Sequence, residues 1–191
     1  MKKRIVRVVT LLAALLLCGP VFAAAPAAKN ARHLRIYRQL AHATYIQEGH
    51  GPRVLYDFFD PDCPYCHALY EHLRTLIPRY GVTLREVPIA YLRSTSEGKA
   101  AAILQSSDPL HAFQRAMAGF RFHHGASIGQ VIPTRKTTAE LHANLALDHK
   151  IAGFSLVPVL VYQKTDGAIR FIDTGAPPVW VLKQMLSGIA R

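Results

Sequence analysis

Cys63 and Cys66 are the residues whose types and spacing best suit chemistry, in the run Asp62-Cys63-Pro64-Tyr65-Cys66-His67. A β-type stretch precedes them and a helical pattern follows, so Cys63 falls at the N-terminal edge of a helix. Unpaired backbone N–H groups and the positive end of the helix dipole favour thiolate there, and cysteines so placed can have pKa values lowered from about 8.5 to about 3.5–7.5. Cys66 lies one turn on and on the same face, where it can attack a mixed disulfide formed on Cys63 and release the other partner. The spacing therefore predicts thiol–disulfide exchange in two steps: attack by Cys63, then resolution by Cys66.

Other readings of the pair are weaker. A structural zinc site needs two more ligands, and only histidines such as His67, His72 or the His123-His124 pair are available. His142 and His149 are spaced outside the usual metal pattern. An inert disulfide would close so short a loop that it would stabilise little. Neither a metal nor an organic cofactor is needed for the exchange reading.

Two further features bear on it. Asp57 lies six residues before Cys63, on the approaching strand. A carboxylate buried in a strand is costly without a role; it would exchange the Cys66 proton, or else point into solvent from a strand end. Val157-Pro158 opens a returning strand and would suit a cis proline beside the cysteines, although cis bonds make up only about 5–6% of X–Pro bonds.

These residues need a scaffold. The apolar spacing of Leu34, Tyr37, Leu40, Ala41 and Tyr45 predicts a helix over 31–48, after a flexible stretch 24–30. Residues 53–59 and 82–89 read as strands around a helix over 64–79, a βαβ unit that implies a parallel pair. Segments 96–105, 108–118 and 137–150 read as helices, the last opened by a Thr137–Glu140 capping box. They form an all-helical insertion over about 94–150. Strands at 158–162 and 168–172 flank an Asp166-Gly167 turn, and a last helix covers 179–186. The order predicts an α/β thioredoxin fold, a mixed sheet with helices on both faces, carrying a helical insertion and an N-terminal helix.

Residues 1–23 read as a cleaved secretory signal peptide. Lys2, Lys3, Arg4 and Arg7 precede an apolar run too short to span a bilayer, and Val21-Phe22-Ala23 suits a cleavage site. Lipidation at Cys18 is disfavoured by the bulky Leu17 before it. Cleavage removes Cys18 and leaves one Cys-x-x-Cys. Four of the 23 Lys/Arg and none of the 12 Asp/Glu lie in that segment, so the formal charge drops from +11 to +7. The charges are scattered, which argues against nucleic-acid binding. The expected organisation is a signal at 1–23, a tail with a linker-like helix at 24–50, and a catalytic domain at 51–191, located in the periplasm and not embedded in the membrane.

The segment Phe58-Phe59-Asp60-Pro61-Asp62-Cys63-Pro64-Tyr65-Cys66-His67, with Val157-Pro158 and Gly175-Ala176-Pro177-Pro178, resembles the periplasmic disulfide isomerases of the DsbC/DsbG family. The likeness is closer to the DsbG branch, which Ala100-Ala101-Ala102-Ile103-Leu104 and Asp108-Pro109 strengthen. It implies a thioredoxin-fold catalytic domain with Cys63 as nucleophile, Cys66 as resolving thiol and Pro158 as a cis proline holding substrate backbone. Val157, Pro64 and Tyr65 would complete the substrate contacts. It also implies exported, cysteine-containing protein substrates and a membrane redox partner.

The chain departs from the family in three ways. About 30 residues after the signal precede the strand at 53, so the family's N-terminal dimerisation domain has no counterpart, and a monomer is favoured. Val157 stands where the family has Thr, and Asp57 where DsbG is apolar. A different class of function is a non-catalytic chaperone or assembly factor using the same groove. Tyr65, Tyr91, Phe120 and Phe122 would line it, but they read better as core residues.

Overall fold

A computed structural model of the protein describes residues 24–191. Residues 1–23, read above as a signal peptide, lie outside the described residues, Cys18 among them. From His33 onward the chain forms one unit, which contains the whole sheet.

The elements run in the order α1 (Ala24–Gln39), β1 (Ile46–Glu48), β2 (Arg53–Phe59), α2 (Pro64–Leu73), α3 (Ile77–Tyr80), β3 (Val82–Pro88), α4 (Ser96–Leu104), α5 (Pro109–Ala118), α6 (Arg135–Ala152), β4 (Val159–Gln163), β5 (Ile169–Ile172) and α7 (Val179–Ser187). The sheet order is β1-β3-β2-β4-β5. Strands β2 and β3 are parallel, with Asp57 beside Glu86, and the other three pairings are antiparallel. This is the mixed sheet of a thioredoxin fold.

Strand β2 is apolar almost throughout because both faces are covered, which is the pattern expected of a central strand. Leu55 and Leu84 pack on one face with Leu69, Leu73, Leu182 and Leu186 of α2 and α7. Tyr56, Phe58 and Val87 join Leu40, Ile46, Ile103 and Met117 in a second apolar cluster. Helices α4, α5 and α6 fill the interval between β3 and β4, as the sequence pattern predicts.

Three boundaries differ from expectation. The helix predicted over 31–48 begins at Ala24, through the stretch read as flexible, and stops at Gln39; a 3-10 turn over Leu40–His42 follows, and Ile46–Glu48 pairs with β3 as an edge strand. Three residues with a single buried position leave too little alternation to read. The helix predicted over 64–79 ends at Leu73 and restarts at Ile77. Pro78 has no N–H to bond the carbonyl of Arg74, so a continuous helix would lose that bond and clash. Helix α6 starts one turn earlier than the Thr137–Glu140 box, because Thr134 caps it by accepting from the Thr137 N–H at 3.1 Å. Thr137 Oγ1 instead donates to Gln105 Oε1, 3.0 Å away. Among the described residues no helix is long and apolar enough to cross a membrane.

Candidate active site

Strand β2 delivers the chain to an Asp60-Pro61-Asp62 turn, and Cys63 then caps α2 with extended backbone (φ −85°, ψ 116°). Pro64 follows at the first helical position, where its missing N–H costs nothing. The Cys63 sulfur accepts the Cys66 N–H at 3.1 Å and lies 3.8 Å from the Val157 carbonyl, to which its thiol donates. Both thiols are free and buried. The Val157–Pro158 bond is cis, so the residues read as a cis-proline pair do sit against Cys63.

The two thiols are driven apart in acidity. Cys63 is held below the ordinary thiol range, first by its hydrogen bond with the Cys66 side chain and then by the backbone N–H groups of Cys66 and Tyr65; burial and the Asp60 charge oppose them. Cys66 is pushed well above that range by burial, then by its hydrogen bond to Cys63 and the charges of Cys63 and Asp57. The two sulfurs thus differ in acidity in the direction that attack by Cys63 and resolution by Cys66 would use.

Asp57 is buried, which excludes the solvent-pointing alternative, and its Oδ1 has no hydrogen-bond partner. Burial pushes its carboxyl well up, as does the Cys63 charge, while a hydrogen bond with Glu86 pulls the other way. An unpartnered carboxylate oxygen buried near a high-pKa thiol is equipped to take that thiol's proton.

Sequence reasoning missed the cluster that fixes the turn before Cys63. Asp60 accepts from the Asp62, Tyr91 and Leu92 N–H groups at 2.8, 2.9 and 3.1 Å and from Ser96 Oγ at 2.7 Å. Lys99 Nζ donates to Asp62 Oδ1 at 2.6 Å, with both side chains buried, and also to the His124 carbonyl. The Ala126 N–H closes the turn on the Pro61 carbonyl at 2.8 Å. Gly125 is required here: its φ is +71°, and a Cβ would fall 1.7 Å from Asp62 Oδ1. The one signal in the sequence was Lys99 itself, a cation set among the small apolar residues of α4.

The aromatic residues read as core are largely at the surface. Tyr65 is 64% exposed, Tyr91 36% and Phe122 67%. Phe120 is half-buried and stacks on His67, with ring centroids 4.7 Å apart. Their neighbours explain it, since the core positions around α2 are already filled by Leu69, Leu73 and Phe113. His72 Nδ1 lies 3.1 Å from the Pro177 carbonyl. Among the described residues no group of three or more His, Cys, Asp or Glu is arranged to hold a metal ion.

The loop leading to Pro158 is held by a titrating group. Asp148 is buried, accepts the Leu156 N–H at 3.0 Å, and is raised by burial to about 6, against the pull of that N–H and of His149. A carboxyl whose folded pKa is raised stabilises fully below its unfolded value near 4 and loses that contribution as pH rises through about 6. Asp148→Asn should therefore lose the corresponding pH dependence. Its stability relative to the parent should fall by about 2–3 kcal/mol on going from pH 8 to pH 4. Urea titrations at the two pH values read this out, and a difference independent of pH would refute it.

The chain matches the profile of the thioredoxin-like domain over residues 40–189. It is similar to the thiol:disulfide interchange protein DsbG of Pseudomonas aeruginosa, 30% identical over 167 residues that make up 85% of this chain and 60% of the relative. DsbG of Escherichia coli is 24% identical over 140 residues, 71% of this chain and 54% of that protein. The chain thus spans 54–60% of the length of these curated relatives. Among solved structures, the catalytic domain of Proteus mirabilis ScsC superposes with a TM-score of 0.62 at 18% identity, covering 82% of this chain and 95% of that one. A periplasmic thioredoxin-like protein from Salmonella enterica serovar Typhimurium gives 0.59 at 20% identity, covering 82% and 94%. These two share the fold. The likeness to DsbG read from the motif residues is borne out by the curated relatives.

Proposed function

Because this chain belongs to the thioredoxin-like domain family, we propose that it is a periplasmic thiol:disulfide interchange protein that reduces, isomerises or forms disulfides in exported proteins. One observation carries the reading: a buried Cys63 sulfur caps α2, 3.1 Å from the Cys66 N–H and 3.8 Å from the carbonyl of a cis Val157–Pro158 pair.

In the reductive direction the Cys63 thiolate attacks a substrate disulfide, forming a Cys63–substrate disulfide and releasing the other substrate sulfur as thiolate. Cys66 then gives its proton to Asp57 and attacks the Cys63 sulfur. The Cys63–Cys66 disulfide forms and the second substrate sulfur leaves, so the substrate gains two electrons and the protein loses two. A membrane redox partner would return the pair to its starting state, and the same steps reversed form disulfides. The Val157 carbonyl lies 3.8 Å from the Cys63 sulfur, and Pro64 and exposed Tyr65 follow Cys63 in the chain; with Pro158 these residues would hold the substrate strand.

The decisive measurement is the reduction potential of the Cys63–Cys66 pair, by equilibration in glutathione buffers with thiol counting. A value between about −120 and −180 mV is expected of an exchange catalyst; one below about −300 mV marks a structural disulfide and would end this reading.

Exposed Tyr65, Phe122, Phe154 and Trp180 favour one second reading, a chaperone that holds apolar segments without exchange. Aggregation suppression that survives replacement of both cysteines by Ser would support it.

A further inference from the structure

Asp57 belongs to a row of carboxyl groups that leads away from the cysteines. Its register partner across the parallel β2–β3 pair is Glu86, equally buried, and the two carboxyls share a hydrogen bond. The register partner of Glu86 on the other side is Ile46, and Glu48 lies two residues along β1 on the same face. Such a diagonal places Cβ atoms about 7–8 Å apart, within reach of long side chains. Glu48 Oε1 accepts from Gln114 Nε2 at 3.1 Å, while its Oε2 is buried without a partner. Glu48 also borders an open cleft of about 420 Å³, lined by Tyr70, Arg74, Gln114 and Arg115 among others. Three carboxyl groups therefore run from Asp57, whose charge acts on Cys66, to the wall of that open cleft, with an unpartnered oxygen at each end.

We propose that Glu86 and Glu48 are the exit path for the proton that Cys66 gives to Asp57, Glu86 relaying it and Glu48 handing it to water in the cleft. The proposal rests on the exchange reading and deepens it. Before resolution the buried pair holds one proton, on Glu86, which donates to Asp57. As the Cys66 sulfur bonds to Cys63 and the substrate sulfur departs as thiolate, the Cys66 proton arrives on the free Asp57 oxygen. The pair then holds two protons. Glu86 passes one toward Glu48, the proton of Asp57 refills Glu86, and the pair returns to one proton with one H⁺ delivered to solvent.

The groups facing Glu86 support this. Burial raises its carboxyl well up, followed by the charges of Asp57 on β2 and Glu48 on β1. Tyr70 of α2 faces both glutamates, Cys63 and Cys66 face Asp57, and Arg74 and Arg115 line the mouth. Within the described residues no Lys or Arg ion pair is formed by any of the three acids. Without a counter-cation the ionised form of a buried acid is not locked in place, which suits a carrier rather than a fixed charge.

The test is the rate at which a Cys63–glutathione mixed disulfide resolves, followed by acid quench and mass spectrometry from pH 4 to 9. Asp57→Asn should slow resolution about 100-fold. Glu86→Gln, which keeps a hydrogen-bond donor for Asp57, should slow it about tenfold, and Glu48→Gln about threefold, each a fraction of the full general-base effect. In the parent the acid limb should fall in two steps, since interacting acids titrate as a pair; in Glu86→Gln it should fall in one. A merely structural Glu86 would leave that profile unmoved. If Glu86→Gln superimposes on the parent while Asp57→Asn is slow, the relay is overturned and the exchange reading stands. If the parent itself does not resolve the mixed disulfide, both fall. Should Glu86→Gln not fold, carboxyl ¹³C titration of the parent decides: coupled two-step curves at Asp57 and Glu86 carry the relay, and independent single-step curves overturn it.

Discussion

Cys63→Ser should reduce insulin no faster than the uncatalysed background, while Cys66→Ser should accumulate mixed disulfides with its substrates. The asymmetry follows from the two sulfur environments. Only Cys63 has both the helix-terminal N–H groups and the hydrogen bond from Cys66 that hold its pKa down, and only a thiolate attacks a disulfide at a useful rate. A serine hydroxyl at that position stays protonated, so the first covalent step is lost entirely. With Cys66 replaced, attack still occurs, but the sulfur that would displace the substrate is gone. Insulin turbidity and non-reducing gels of periplasmic extracts measure the two outcomes. Full insulin-reducing activity in Cys63→Ser would show that the roles are assigned wrongly.

Lys99→Ala should destabilise the protein by about 3–5 kcal/mol, the cost of leaving a buried carboxylate without its cation. Lys99 Nζ and Asp62 Oδ1 are 2.6 Å apart, and both side chains are almost wholly inaccessible. Removing the ammonium leaves Asp62 with only the Thr95 and Ser96 hydroxyls as donors. The double variant Asp62→Asn/Lys99→Met should recover part of the loss, because neither orphaned charge then remains, and the two single effects should be far from additive. Urea unfolding of the parent, Asp62→Asn, Lys99→Met and the double variant completes the cycle, with Lys99→Ala measured beside them. A loss below about 1 kcal/mol for Lys99→Ala would mean that the pair behaves as an exposed salt bridge.

What could be read in advance was local. The covered central strands announced themselves as apolar runs, the helix after Cys63 by its Pro64 start, and the proposed exchange chemistry by the two cysteines one turn apart. Val157-Pro158 was legible as a proline opening a returning strand, while its cis bond was not. The hidden features depend on meetings between distant segments. Asp62 and Lys99 are 37 residues apart, and neither residue type signals burial on its own. Glu86 sits in a strand where Leu84 shares its face, so its alternation pointed inward, but a carboxylate there reads by default as a solvated position. Strand β1 was too short to show a period. Tyr65 and Phe122 misled for the opposite reason, since aromatic character suggests core and says nothing of whether the core is already full.

The contacts that shape the Cys63 environment have a bearing on when this chain becomes reactive. The turn before it is tied to Lys99 and Ala126, and its sulfur meets a carbonyl 94 residues downstream. None of these partners is close in sequence, so they come together only as the long-range structure completes. In an unfolded chain, Cys63 and Cys66 are two ordinary thiols, with the pKa near 8.5 of a cysteine lacking a helix terminus. Acidity, and with it nucleophilicity at neutral pH, arrives with the native state. Folding therefore sets the pace of exchange: an unfolded copy reacts with its neighbours only as an ordinary pair of thiols would, and the asymmetry between attacking and resolving sulfur appears with the native state.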